Sequence, residues 1–216
     1  VFLLYALLGQ YIPGRFGHPG ARWDMLLMQQ YQTYYGIWGF ITGISATIIA
    51  IFLIFGSFIL NCGGGASFID ISTLIAGRFR GGPALVAVIG SGLFGTVCGS
   101  AVANTATTGN FTIPLMKRLG YRTEFAGGVE ATASTGGQLA PPIMGAGAFI
   151  MAELLGISYL KVVVAAIIPA YLFYIAVFSG VLFEAHRANL SPLPPEMIPT
   201  VRSVLNWARL APLIIP

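Results

Sequence analysis

The fold is decided by SGLFGTVCGSAVANTATTGNFTIP at residues 91–114 and by EFAGGVEATASTGGQLAPP at residues 124–142. Both runs are apolar enough to enter a bilayer, yet each has small polar residues near its middle. These residues are Gly99, Ser100, Asn104 and Thr105 in the first run and residues 134–138 in the second. Inside a membrane, backbone leaves the helix only where protein or a lined cavity satisfies its polar groups. Two such interruptions predict a binding site at mid-membrane depth.

The composition is that of an integral membrane protein. Of the 216 residues, 56% are hydrophobic and only 8% are charged, whereas a soluble domain has about 25% charged residues. The net charge of +4 comes from basic residues placed singly or in small groups between apolar blocks. This placement is typical of short membrane loops, so we expect no nucleic-acid partner.

The cysteines and the two ends of the sequence indicate further what kind of membrane protein to expect. Cys62 and Cys98 lie in apolar stretches, so neither a disulfide nor a metal site is expected. The chain begins inside an apolar run and ends on LAPLIIP, after a proline-rich linker and an amphipathic segment with Arg202, Trp207 and Arg209. We therefore expect a fragment of a longer polytopic protein, with a further span beginning at its end.

Two uncharged runs have the length of a complete membrane span, residues 40–62 and 162–183. A triple glycine at residues 63–65 is expected to end the first. Residues 23–35 mix aromatic, amide and apolar side chains, which favours a helix at the membrane interface. Residues 66–78 predict a short amphipathic helix, in which Asp70 is an interfacial acid or an ion ligand.

A helical hairpin is predicted within residues 81–116, which are uncharged. As one helix they would be about 54 Å long, against a hydrocarbon core of about 30 Å. We expect half-helices at residues 84–99 and 104–116, with the tip at residues 100–104 re-entering the membrane. Counting basic residues does not distinguish this hairpin from a crossing. Small residues recur every fourth position and predict close helix packing, at Ala87, Ser91, Gly95, Gly99 and Ala103.

A broken helix is predicted within residues 124–156, interrupted at residues 134–142. Pro141 and Pro142 suit the first turn of a second half-helix, because that turn needs no amide donor; we expect this half-helix to begin near Ile143. Glu130 lies one turn before the break. It is either functional or paired with a Lys or Arg near the interface, and the sequence leaves both alternatives open.

Three runs carry a resemblance to a known family: FRGGPALVAV at residues 79–88, GSAVANTATTGNFTIPLMKRLGY at 99–121 and EFAGGVEATASTGGQLAPPIMGAGAFIMAE at 124–153. Over roughly residues 1–190 the chain closely resembles the large membrane subunit of TRAP transporters, in particular the fused TAXI-type permeases of the ion-transporter superfamily. The resemblance implies an all-α, multi-pass protein of the inner (cytoplasmic) membrane that forms one half of an inverted-repeat elevator transporter. Residues 1–80 would be scaffold helices with an amphipathic arm, 81–156 the transport region, and 157–216 a closing span and linker toward a second repeat.

The resemblance also implies a function and a site. Such permeases are similar to sodium-coupled symporters that take up an organic acid from a periplasmic or lipid-anchored substrate-binding protein, with a small membrane subunit or its fused equivalent. Carried onto this sequence, the sodium ligands would be Gly99, Ser100, Asn104, Thr105, Ser134, Thr135, Gly136 and Gly137. The substrate would lie near Thr108, Gln138, Pro141 and Pro142.

The chemistry of the two interruptions fits sodium, a hard cation that neutral carbonyl, hydroxyl and amide oxygens can coordinate. No organic cofactor is expected. A proton relay would place Asp, Glu or His at the break, and only Glu130 keeps that alternative open.

Two other classes of protein compete with a transporter. A channel with glycine-rich re-entrant segments would repeat one filter motif, and no motif recurs here. An intramembrane enzyme would need Ser100 with His18 or His186, but neither histidine lies within a predicted span and no catalytic motif occurs. We therefore expect no enzymatic activity.

Overall fold

The structure, a computed structural model, describes residues 1–204, and within them every regular element is a helix. The α-helices are α1 Phe2–Leu8, α2 Trp23–Gln32, α3 Phe40–Ile44, α4 Ala50–Asn61, α5 Gly64–Ala76, α6 Gly82–Cys98, α7 Ala101–Arg118, α8 Thr123–Gly136, α9 Ala146–Leu155, α10 Tyr159–Arg187 and α11 Val201–Val204. A π-helical turn occupies Ser45–Ile49, and short 3-10 helices occupy Gly9–Tyr11, Gly14–Phe16 and Pro195–Met197. Trp207, Arg209 and the predicted final span lie outside the described residues.

The chain divides into two compact units between Ile49 and Ala50. In the first unit, His18 packs edge-on against the Tyr5 ring, and the backbone amide of Gly20 donates to its Nδ1 at 3.1 Å. His18 is therefore held by local packing and backbone contacts. The three-part functional division at residues 80 and 156 stays a prediction.

Two helical stretches are long and apolar enough to cross a membrane, Phe40–Ile59 and Tyr159–Arg187. They coincide with the two predicted spans, although the second extends several residues beyond the predicted run at each end. About half of their large apolar side chains are exposed, including Ile51 and Ile168. Such faces are suited to lipid or to further protein.

The triple glycine is used differently from the prediction. Only Gly63 lies between helices, with a φ of +91°, a conformation that glycine adopts without steric cost. Gly64 and Gly65 are the first two residues of α5, so the predicted helix boundary at residue 66 was two residues late.

Helix α6 is the centre of the second unit. Residues 81–88 are all buried, and the helix packs against α5, α7, α8 and α10. Its small and β-branched side chains allow these neighbours to approach on every side, with Leu85, Val86 and Ala87 at 0% exposure.

Helices α6 and α7 form a hairpin through a two-residue turn, Gly99–Ser100. Gly99 has a φ of +63°, and the Ser100 side chain caps α7 by accepting from the backbone amide of Ala103 at 3.3 Å. The predicted tip at residues 100–104 was therefore too long, because Asn104 already lies inside α7. The predicted stripe of small residues ends at Gly99 for the same reason, since Ala103 belongs to the second arm.

The predicted broken helix is present as α8 and α9, separated by residues 137–145. The second half-helix begins at Ala146 rather than near Ile143, so Pro141 and Pro142 lie within the break. The reason is that the break is folded onto its surroundings. The amide of Gly145 donates to the Gln138 carbonyl at 2.9 Å, and the Tyr159 hydroxyl lies 2.9 Å from the Pro142 carbonyl.

The first arm of the hairpin touches the break without any side chain between the two backbones. A Cβ atom added to Gly95 would lie 2.2 Å from the Cα of Gly137, and one added to Gly99 would lie 2.0 Å from the Met144 carbonyl oxygen. The amide of Ile143 also donates to the Thr96 carbonyl at 3.4 Å. Glycine at Gly95 and Gly137 is thus a geometric requirement for docking the hairpin on the break.

We predict that Gly95→Ala lowers the free energy of unfolding by about 1–3 kcal/mol, the usual size of an overpacking strain. Gly128→Ala on α8 is the matched control, because its added Cβ would meet nothing within 4 Å and alanine favours a helix. The measurement is the thermal unfolding midpoint of the purified, complete permease in detergent. A midpoint for Gly95→Ala equal to that of the control would contradict the close docking.

Candidate functional site

A cluster of six polar side chains is buried where α6, α7 and α8 meet, each at most 1% exposed. We call it the Glu130 cluster; its members are Ser91, Asn104, Thr108, Thr112, Glu130 and Ser134. A buried polar group is costly unless hydrogen-bonded, so the bonds within this cluster determine how the three helices fit together.

The Glu130 carboxylate lies at the centre and accepts hydrogen bonds from all three helices. Ser91 of α6 and Ser134 of α8 each donate to Oε1 at 3.0 Å, and Thr108 of α7 donates to the same oxygen. Thr112, one turn further along α7, donates to Oε2 at 2.5 Å. Four hydroxyl groups therefore surround one carboxylate.

Asn104 joins the same three helices through their backbones. Its Nδ2 donates to the Ser91 carbonyl of α6 at 2.8 Å and lies 3.5 Å from the Ser134 carbonyl at the end of α8. The side chain of Thr108 lies 3.3 Å from Asn104 Oδ1. The beginning of the second hairpin arm is thereby tied to the last turn before the break.

Glu130 forms no ion pair with the described side chains. Ion pairs in the described part of the chain include Arg22 with Asp24, Arg122 with Glu124 and Arg187 with Glu184, and at least one side chain of each of these pairs is exposed. Among the described side chains, hydroxyl groups take the place of a Lys or Arg beside Glu130.

Helical spacing explains how the cluster assembles. Asn104, Thr108 and Thr112 follow one another at four-residue intervals on one face of α7, and Glu130 and Ser134 do so on α8. The sequence analysis missed Ser91 and Thr112 as site residues and left Glu130 undecided. The i, i+4 spacing of polar residues on α7 and α8 was the signal that could have found Thr112 and Glu130, whereas Ser91 on α6 gave no such signal.

The eight residues predicted to bind sodium are only partly brought together. Asn104 and Ser134 meet in the Glu130 cluster, and Gly137 lies against them, since a Cβ added there would be 2.9 Å from Asn104 Nδ2. Gly99 contacts the break through Met144, while Ser100 caps α7.

The remaining three predicted ligands face other surroundings. The hydroxyls of Thr105 and Thr135 donate to carbonyls of their own helices, at 2.9 and 2.7 Å, and Thr135 is exposed. A Cβ added to Gly136 would meet the ring of Phe173 on α10.

The residues predicted near the substrate separate into two places. Thr108 belongs to the Glu130 cluster, whereas Gln138 lines a mainly apolar cavity of about 450 Å³ beside the break, with Gly145 and Pro169 among its neighbours. Pro141 is half-buried against α6 and α10, and Pro142 is exposed.

In the described part of the chain, Ser100 and His186, two residues of the enzymatic alternative, are hydrogen-bonded within their own helices. Ser100 is a helix cap, and His186 Nδ1 lies 2.8 Å from the Leu182 carbonyl of its own helix. Within residues 1–204, Cys62 and Cys98 are free, and no group of three or more His, Cys, Asp or Glu side chains could hold a metal ion.

The whole sequence, residues 1–216, matches the family described as Tripartite ATP-independent periplasmic transporter, DctM component. The chain belongs to the DctM family. Membership confirms the prediction of a membrane protein and of a TRAP transporter large subunit, and its relatives are permeases rather than enzymes.

Three relatives named as TRAP transporter permeases support the same assignment. The C4-dicarboxylate TRAP transporter large permease protein DctM of Pseudomonas aeruginosa is 30% identical over 175 residues, which cover 78% of this chain and 40% of that protein. The 2,3-diketo-L-gulonate TRAP transporter large permease protein YiaN of Escherichia coli is 28% identical, over 79% of this chain and 41% of that protein. The sialic acid TRAP transporter permease protein SiaT of Haemophilus influenzae is 27% identical, over 76% and 27%. The chain thus spans about two fifths of the length of the first two of these relatives.

We predict that Thr112→Val in this DctM-family chain lowers the free energy of unfolding by about 1.5–3 kcal/mol, because it removes a donor to a buried charged group. Thr135→Val is the matched control, since the Thr135 hydroxyl contacts only its own helix on an exposed face. Thermal midpoints of the two variants of the complete permease test this, and equal midpoints would contradict the bonding described for Glu130.

Proposed function

We propose that this chain is part of the large permease of a secondary transporter that takes up an organic acid delivered by an extracytoplasmic substrate-binding protein. Family membership supports the transporter class. The substrates in the names of the relatives, C4-dicarboxylate, 2,3-diketo-L-gulonate and sialic acid, all carry carboxylate groups. On this proposal the protein crosses the inner membrane several times.

We propose further that sodium drives the uptake and binds between the hairpin and the break. The observation that carries this proposal is the meeting of Asn104, from the beginning of α7, with Ser134, from the end of α8. The Asn104 amide nitrogen faces the Ser134 carbonyl, while Asn104 Oδ1 and the Ser134 hydroxyl oxygen belong to the same buried cluster. Neutral oxygens of this kind can coordinate a hard monovalent cation. Gly99 and Gly137 extend the site on this proposal, whereas the hydroxyl of Thr135 does not.

We propose that α6 and α7 form a re-entrant hairpin. With 17 and 18 residues, the two helices lie at the short end of the roughly 17–25 residues that a complete span uses. The 14 and 10 residues of α8 and α9 are half-helices that together make one crossing. An elevator transporter moves such a hairpin and broken helix as one body, and the glycine contact between them supports that movement.

The substrate is proposed to reach the break beside Gln138, where the amino-terminal end of α9 favours a carboxylate. Three finer points, the TAXI type, a small membrane subunit or its fused equivalent, and a second repeat, rest on the resemblance alone and stay proposals.

Proton coupling is the second candidate, favoured by one observation: Glu130 is a fully buried carboxylate without a cationic partner among the described side chains. Intramembrane carboxylates mark proton relays as well as ion sites. The two candidates differ in which ion gradient drives uptake.

Sodium binding is predicted to raise the thermal midpoint of the complete permease relative to potassium at equal ionic strength. Sodium at 100 times its dissociation constant would stabilise the folded state by about 2.7 kcal/mol. Asn104→Ala and Ser134→Ala should each weaken this sodium response, with Thr135→Ala as the control that keeps it. Sodium and potassium midpoints that coincide for the unaltered protein would contradict the sodium site.

Uptake by proteoliposomes is predicted to need an inward sodium gradient together with the cognate substrate-binding protein. The test uses a panel of labelled C4-dicarboxylates, keto-sugar acids and sialic acid, with the sodium and proton gradients imposed separately. Accumulation driven by the proton gradient alone would reject sodium coupling and favour the Glu130 relay.

A further inference from the structure

We propose that Glu130 is a positioning residue for the cation: its carboxylate orients the surrounding hydroxyl groups and supplies the negative charge that the neutral ligands lack. This inference rests on the proposed sodium site and concerns how that site gains its affinity. It goes beyond that site's ligands, because Glu130 acts on the ion through its neighbours.

The direction in which the hydroxyl groups around Glu130 point can be inferred from the number of hydrogens that each one has. A serine or threonine hydroxyl has one hydrogen and two lone pairs. Ser91 and Ser134 each lie 3.0 Å from Glu130 Oε1, and both also have a neutral hydroxyl within 3.5 Å. A carboxylate is the stronger acceptor, so the hydrogens are directed to Glu130. The bonding capacity that these oxygens keep consists of lone pairs, which attract a cation.

The Thr108 hydroxyl also has a choice of acceptors, because three neutral oxygens lie within reach as well as the carboxylate. These are Ser91 Oγ at 3.0 Å and two Asn104 oxygens, the carbonyl at 2.9 Å and Oδ1 at 3.3 Å. With its hydrogen donated to Glu130, Thr108 leaves both Asn104 oxygens without that donor. The amide oxygen of the proposed ligand is thereby free for an ion.

Four hydroxyl donors stabilise the ionised form of Glu130 against the cost of its burial. Glu130 is 0% exposed, and α6 carries no charged residue. The charges on α7 are Lys117 and Arg118 in its last turn, and the other charge on α8 is the exposed Glu124 in its first turn. A buried charge interacts strongly with an ion of opposite sign, because little solvent screens the pair. Since Ser134 is both a proposed ligand and a donor to Glu130, the carboxylate lies one hydrogen bond from the ion.

Substitution by glutamine separates this role from a purely structural one. Glu130→Gln keeps the shape and one acceptor oxygen, but it removes the charge and adds an amide donor. A residue that only fills and bonds the core would tolerate this change without loss of sodium affinity. A residue that provides charge and hydroxyl orientation would not.

The experiment compares Glu130→Gln, Glu130→Asp and the control Glu124→Gln in the complete permease. The probe is sodium alone, titrated against potassium at constant ionic strength, and the readout is the sodium dissociation constant from the thermal midpoint. We expect Glu130→Gln to raise this constant about tenfold or more, the effect of losing one charge-assisted interaction. Glu130→Asp should restore part of the loss, and Glu124→Gln should bind sodium as the unaltered protein does.

The outcomes distinguish this inference from the sodium proposal itself. A sodium response in the unaltered protein with an unchanged constant in Glu130→Gln would overturn the role of Glu130 alone. The absence of any response in the unaltered protein would overturn both proposals.

An infrared measurement covers the case in which Glu130→Gln does not fold. The sodium-minus-potassium difference spectrum of the unaltered permease should show a shifted carboxylate band that Glu124→Gln retains. A protonated carboxyl band in that spectrum, or the absence of a carboxylate shift, would overturn the inference.

Discussion

The Glu130 carboxylate needs hydrogen-bond donors because solvent does not reach it, and it takes them from three helices. Ser91 comes from α6, Thr108 and Thr112 come from α7, and Ser134 lies one turn further along its own helix. Displacing α6 or α7 would take hydrogen-bond donors away from a buried carboxylate, which is among the more costly changes in a protein interior. The register of the hairpin against the broken helix therefore depends on this one side chain.

Direct contact between the backbones of the hairpin and the break also holds these two elements together. Gly95 lies against Gly137, and Gly99 lies against the Met144 carbonyl, so the hairpin turn and the break meet without side chains between them. This contact brings Asn104 close to the Ser134 carbonyl. The proposed ion site thus lies between the hairpin and the break. Binding of an ion there would act on both elements at once.

Much of the fold could be predicted from the sequence, because composition and length act locally. Two long uncharged runs predicted the two membrane-length helices, and polar interruptions predicted the hairpin and the broken helix. The predicted helix ends were wrong where local backbone conformation decides them. Ser100 caps a helix instead of forming a loop, and α9 begins at Ala146, after Gly145, rather than at the two prolines. The role of Glu130 could not be predicted, since its donors come from separate helices whose pairing a sequence does not give. Only the four-residue spacing of its partners was visible beforehand.

The most direct test of the account is the density between the hairpin and the break in an electron cryo-microscopy structure of the complete permease, determined once in sodium and once in potassium. The account predicts a sodium-dependent peak contacted by oxygens of Asn104 and Ser134, with Glu130 behind them and the four hydroxyl groups around its carboxylate. Continuous packing with no peak at this place in sodium, or a peak coordinated elsewhere in the protein, would contradict it.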